Sequence, residues 1–147
     1  METLTYSTTI DAPREKVWDV LWSLETYRDW TSVFSPGSTV ETDWKQGSKV
    51  LFLNEQRQGM VSEIAENRTP EFMSFRHLGM YDNGVEDYES EMVKQWSGGH
   101  ENYLLEDLDG KTRLTVTIDL QEDHKTHFEA TWPKALERLK ELSENGR

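Results

Sequence analysis

The stretch EDHKTHFEATWPKALERLKELSE, residues 122–144, decides how the chain is read. Phe128, Trp132, Ala135, Leu136, Leu139 and Leu142 recur at spacings of three and four, which makes one apolar stripe on a helical surface. Lys134, Glu137, Arg138, Lys140, Glu141 and Glu144 fill the remaining faces. The acidic cluster Gln121-Glu122-Asp123 suits a helix N-terminus, and Gly146 just beyond the pattern is a stop. Pro133 removes a backbone donor and crowds the carbonyl of Glu129, so a kink or two helical pieces are expected there. A helix with one wide apolar face must lie on something apolar, and the chain before it reads as strands.

Working back from that helix, residues 113–120 alternate cleanly. Leu114, Val116, Ile118 and Leu120 face one way, and Arg113, Thr115, Thr117 and Asp119 the other, so one face is buried and one is wet. Asp109-Gly110 is a hairpin signal linking this run to a strand over 100–107. Earlier strands are read at 39–43, 49–54, 59–66 and 71–78, separated by turn residues such as Gln46-Gly47 and Asn67-Arg68-Thr69-Pro70. A further turn is read at 35–38. Between 81 and 99 the pattern supports a turn at Asp82-Asn83-Gly84 and a short helix over 89–96, but no strand.

At the N-terminus, Tyr6, Thr8 and Ile10 alternate with Ser7, Thr9 and Asp11 in a strand over 4–11. Pro13 then opens a helix as its first residue, capped by Asp11 or Ala12 and running to about Ser23, with Val17, Trp18, Leu21 and Leu24 on its apolar face. A second short helix covers 26–30. Strand, two helices, about seven strands in all, then a long helix make an α+β domain in which an antiparallel sheet carries its helices on one face.

The 147 residues fit one domain. Only 35% are hydrophobic, below the usual share, but six Trp, five Tyr and five Phe each bury a large area. The formal net charge of -12, with no basic block, argues against nucleic acid and against an anionic membrane surface. It favours a monomer or small homo-oligomer. The absence of cysteine excludes a disulfide scaffold, a thiolate nucleophile and a thiolate-bound metal. No basic or apolar leader stands at the start, and the longest apolar run, 50–53, is far too short for membrane insertion. A cytoplasmic protein without cofactor is expected.

Several segments together resemble a known family. The opening strand ending Ile10-Asp11-Ala12-Pro13, then Glu15-Lys16-Val17-Trp18, resembles the start of the START-like superfamily, also called SRPBCC. Tyr27-Arg28-Asp29-Trp30-Thr31, the strand Gly59-Met60-Val61-Ser62-Glu63-Ile64, and the last helix with Phe128 and Trp132-Pro133-Lys134-Ala135-Leu136 fit the same pattern. Within it, the chain is most similar to the branch named for homologues of the heat-shock protein 90 ATPase activator. The resemblance implies a helix-grip fold, a curved antiparallel sheet wrapped on a long C-terminal helix. It also implies a hydrophobic or amphipathic small-molecule ligand held between the two. A chaperone partner, as the branch name suggests, or a polyketide cyclase-like activity are the alternatives it carries. Full activators have a separate N-terminal chaperone-binding domain that these 147 residues do not include. Cyclases differ among themselves in pocket chemistry, so no catalytic residue is assigned.

Candidate ligand-binding residues are Trp30, Phe34, Phe52, Phe75, Tyr103, Phe128 and Trp132. Phe128 and Trp132 would form a floor, with Phe52, Phe75 and Tyr103 opposite. Core packing is the better reading for each one singly, at roughly 1.5–3 kcal/mol of burial apiece, and Trp18 and Trp22 are read as core. His124 and His127 share a helical face, but a metal site needs a third converging ligand; Asp123 is the nearest, and a solvated first turn is the better reading. Arg76 with Glu63 or Glu101 could pair within the sheet, and His77 could line a cavity mouth. Ser62 and Ser74 have no histidine at a recognisable spacing, Gly98-Gly99 lacks a phosphate-loop context, and 86–91 lacks the spacing of a calcium loop.

Overall fold

The computed structural model describes residues 2–34, 37–120 and 122–145, with 122–124 and 145 given by their backbone alone. The elements in chain order are β1 (Glu2–Ile10), α1 (Arg14–Trp22), α2 (Leu24–Trp30), a 3-10 turn (Thr31–Val33), β2 (Thr39–Glu41), β3 (Lys49–Leu53) and β4 (Gln58–Arg68). They continue with β5 (Phe72–Asp82), β6 (Val85–Asp87), α3 (Glu91–Trp96), β7 (His100–Leu108), β8 (Lys111–Leu120) and α4 (Glu122–Asn145). The eight strands form one antiparallel sheet in the order β1-β8-β7-β5-β4-β3-β2, with β6 pairing to β5 off that path. Helix α4 packs along β1 and against α1 and α2. This is the helix-grip arrangement.

The alternation in β8 acts as expected: Leu114, Val116, Ile118 and Leu120 are buried, while Arg113 is exposed and Thr115, Thr117 and Asp119 are only half-buried. β1 pairs with β8 along its whole length, from Glu2 opposite Leu120 to Ile10 opposite Thr112. The hairpin turns at Asn83-Gly84 and Asp109-Gly110 both place two successive residues at positive φ, the backbone that matches the twist of the flanking strands. Register shifts in the β4–β5 pair lie between Val61 and Ser62 and between Ile64 and Glu66. Such bulges bend a sheet and re-aim side chains. Between them, Ser62 stands opposite His77 and Ile64 opposite Phe75.

Several expectations are corrected. The sheet of about seven strands is borne out, with eight in all; the strand not expected between 81 and 99 is β6, which forms after the Asn83-Gly84 turn and at three residues is too short to show alternation. Pro13 is the N-cap of α1, not its first helical residue: its ψ of 159° is extended and its carbonyl accepts from the Val17 N–H. The second helix starts at Leu24 rather than 26, because Ser23, at ψ 134°, breaks the chain and resets the helical phase. Leu24 is consequently 45% exposed instead of lying on the apolar face of α1.

The last helix is not two pieces; α4 runs through Pro133 without interruption. Pro133 and Glu129 are both exposed, so the missing hydrogen bond lies on the outer side of the helix, while buried Trp132, Ala135 and Leu136 hold the helix against the core. The expected features at Ser35, Pro36, Gln121 and Gly146, and the side chains of Glu122, Asp123 and His124, lie outside the described residues. Among the described residues, no helix is long and apolar enough to cross a membrane.

Candidate functional site

Four segments converge on the space between sheet and C-terminal helix. α2 and the 3-10 turn bring Trp30 and Phe34, β3 brings Phe52, β7 brings Tyr103, and α4 brings Phe128 and Trp132 one turn apart. Trp132 is the hub. Its ring lies 5.0 Å from Phe34, 6.1 Å from Trp30, 6.2 Å from Tyr103 and 6.2 Å from Tyr6, on which it stacks. Phe34 and Phe128 meet edge to face at 6.1 Å. These six expected residues surround a cavity of about 240 Å³. Phe75, the seventh, does not line it. It is fully buried one layer behind, against Phe52 at 5.1 Å and Trp22 at 5.3 Å.

A second cavity of about 350 Å³ adjoins the first, and α3 contributes Met92 and Trp96 to its wall. Met60, Glu101, Ile118 and Phe128 line both spaces and form the divide between them. Glu101 is the residue that sequence reasoning missed as a wall residue. It sits two positions before Tyr103 on one strand, so strand alternation puts both on the same face. Tyr27 and Ile118 also line the first cavity without having been singled out for it, and so does Trp22, which was read as core and is indeed buried but borders the open space.

Glu101 ends a polar chain that crosses three strands. The Ser62 Oγ lies 2.6 Å from His77 Nδ1, and His77 Nε2 lies 3.2 Å from Glu101 Oε1. The Tyr103 hydroxyl donates to the other carboxylate oxygen, Oε2. With the Ser62 hydroxyl donating to Nδ1, the imidazole proton stands on Nε2 and is donated to Glu101. Every donor in the chain thus points toward one carboxylate. Ser62 is fully buried and lines neither cavity, so it orients His77 and is not placed to attack a molecule in the cavity. Burial, and after it the Glu101 charge, pushes the Tyr103 and Tyr27 phenols well above their ordinary range, so both remain protonated donors.

The other sequence candidates fall elsewhere. Arg76 pairs with Glu63 at 3.2 Å on the exposed face, leaving Glu101 to His77. His127 is exposed beside Phe128, and among the described residues no group of three or more His, Asp or Glu could hold a metal ion. Beside the cavity, Arg138 of α4 grips Asp29 of α2 with two bonds, Nε to Oδ1 at 2.6 Å and Nη2 to Oδ2 at 2.8 Å. These bonds hold the Asp29 carboxyl below the usual carboxylate range, against a smaller opposing effect of burial.

The fold recurs in known proteins. The Aha1 dimer from Colwellia psychrerythraea, solved in solution, matches with a TM-score of 0.74 at 18% identity, over 100% of this chain and 99% of that one. ChR145 from Cytophaga hutchinsonii matches at TM-score 0.70 and 21% identity, over 97% and 93%. DynU16, from the dynemicin biosynthetic locus, matches at TM-score 0.72 and 15% identity; all of this chain corresponds to 49% of that one. At such identities the likeness is one of fold. Compared with proteins of curated function, the sequence matches none. The profile described as "Activator of Hsp90 ATPase homolog 1-like protein" matches residues 11–144, nearly the whole chain. The chain therefore belongs to the activator of Hsp90 ATPase homolog 1-like family, within the START-like superfamily.

Proposed function

We propose that this protein binds a hydrophobic or amphipathic small molecule between its sheet and C-terminal helix. The observation that carries the reading is the convergence of eight aromatic side chains on space they leave unfilled, beside one carboxylate. An aromatic core folded only for stability closes such space, because each void forfeits contacts. Largely apolar walls with a few converging polar groups are the usual make-up of a small-molecule site. N-phenyl-1-naphthylamine, a neutral fluorophore that brightens in apolar surroundings, tests the reading. Saturable enhancement by the folded protein, absent after unfolding, is expected. No saturable enhancement overturns it.

A second reading, a chaperone-associated interaction protein, is favoured by a different observation. Val85 and Met92, on β6 and α3, are 68% and 57% exposed, apolar side chains of the kind a protein contact would cover. A pull-down at physiological salt that recovers no chaperone counts against it.

A further inference from the structure

We propose that the molecule bound here carries a cationic amine, and that Glu101 receives it; this deepens the ligand-binding reading and rests on it. The charge balance of the walls is one-sided. Among the described residues, Glu101 and Asp119 line the two cavities and no lysine or arginine does. Asp119, which accepts from the Thr3 hydroxyl at 2.6 Å and the His100 N–H at 3.0 Å, lines only the second cavity and not the aromatic one, whereas Glu101 lines both. Arg76, on the neighbouring strand, is held on the exposed face by Glu63. The Glu101 carboxylate accepts from His77 and Tyr103, one on each oxygen, and no lysine or arginine among the described residues pairs with it.

A carboxylate offers about four lone-pair directions, so roughly two remain, and Glu101 lines both cavities. An apolar neutral ligand that displaced water from that carboxylate would leave a charge desolvated and unpaired, which is costly. An anion would add repulsion. An ammonium group removes the cost, and the surrounding aromatic faces attract it as well, each through its negative π-face. The Ser62–His77 pair and the Tyr103 hydroxyl fix the carboxylate in place, so little side-chain freedom is lost on binding. The chain's net charge of -12 draws cations toward the mouth.

Three probes of one shape test this by calorimetry: 1-naphthylmethylamine, 1-naphthylmethanol and 1-naphthoic acid, which are cationic, neutral and anionic at neutral pH. The amine is expected to bind at least about tenfold tighter than the alcohol, with the acid weakest, and added salt should weaken the amine most. Glu101→Gln should cost the amine about tenfold and bring it level with the alcohol. Alcohol binding as tight as amine binding, or a preference that survives Glu101→Gln, overturns the proposal while leaving the cavity reading standing. Binding of none of the three overturns both. Should Glu101→Gln fail to fold, Glu101→Asp, which keeps the charge, must keep the order of the three probes, and the wild-type order and its salt dependence decide alone.

Discussion

Two aromatic residues one helical turn apart, Phe128 and Trp132, should respond differently to truncation. Trp132 is 3% exposed and touches four other aromatic rings. Its indole N–H has no hydrogen-bond partner among the described residues, so its loss is one of packing alone. Trp132→Ala should cost about 3–5 kcal/mol, a large part of the roughly 5–15 kcal/mol that holds an ordinary domain together. Phe128 is half-buried and stands between the two cavities. Burial of a whole Phe side chain contributes about 1.5–3 kcal/mol, so a half-buried one contributes roughly half of that. Its removal merges two existing spaces and creates no sealed void, so the cavity penalty is small. Phe128→Ala should therefore cost about 1 kcal/mol in urea unfolding, while N-phenyl-1-naphthylamine affinity falls about tenfold, the equivalent of about 1.4 kcal/mol of lost ring contact. A stability loss near 3 kcal/mol with probe affinity intact would place Phe128 in the core and refute the distinction between wall and core.

Other substitutions probe the supports of the site. Ser62→Ala leaves the buried Nδ1 of His77 without its partner and should cost about 1–3 kcal/mol, read from the urea midpoint; a neutral result would show that water fills the gap. Gly59→Ala should be still more damaging, because a Cβ there would stand 1.7 Å from the Phe52 carbonyl oxygen and force β3 away from β4; wild-type stability would show that the strands have room to separate. Asp29→Asn removes the grip of Arg138. Because the Asp29 carboxyl is depressed in the folded state, its contribution is full above the ordinary carboxylate range and is lost as pH falls through that range toward the folded value. Both side chains are more than a third exposed, so the difference from wild type at pH 7 should be only about 0.5–1 kcal/mol, shrinking to nothing in acid; a difference that grows in acid would contradict the assignment.

The fold was legible wherever a period ran long enough to show. The three-and-four spacing from Phe128 to Leu142 and the alternation from Arg113 to Leu120 give the helix and the strand that frame the site. β6 and the break at Ser23 were not legible, since three residues carry no period and one serine carries no warning of a reset helical phase. The aromatic wall could be read as a set but not by depth. Phe52 and Phe75 look alike in sequence, yet one faces the space and the other lies behind it. The Ser62–His77–Glu101 chain was hidden for a different reason. Its members are 15 and 24 residues apart and meet only across strands, through a register set by a bulge in the β4–β5 pair. Local spacing holds no trace of such a contact.

Native mass spectrometry of the protein purified gently from its own host, beside a denatured aliquot, tests the central claim most directly. An added mass in the native spectrum that is released on denaturation is expected, with an amine in the released molecule. An identical bare-chain mass in both aliquots would contradict it and shift the weight to the exposed apolar side chains of Val85 and Met92.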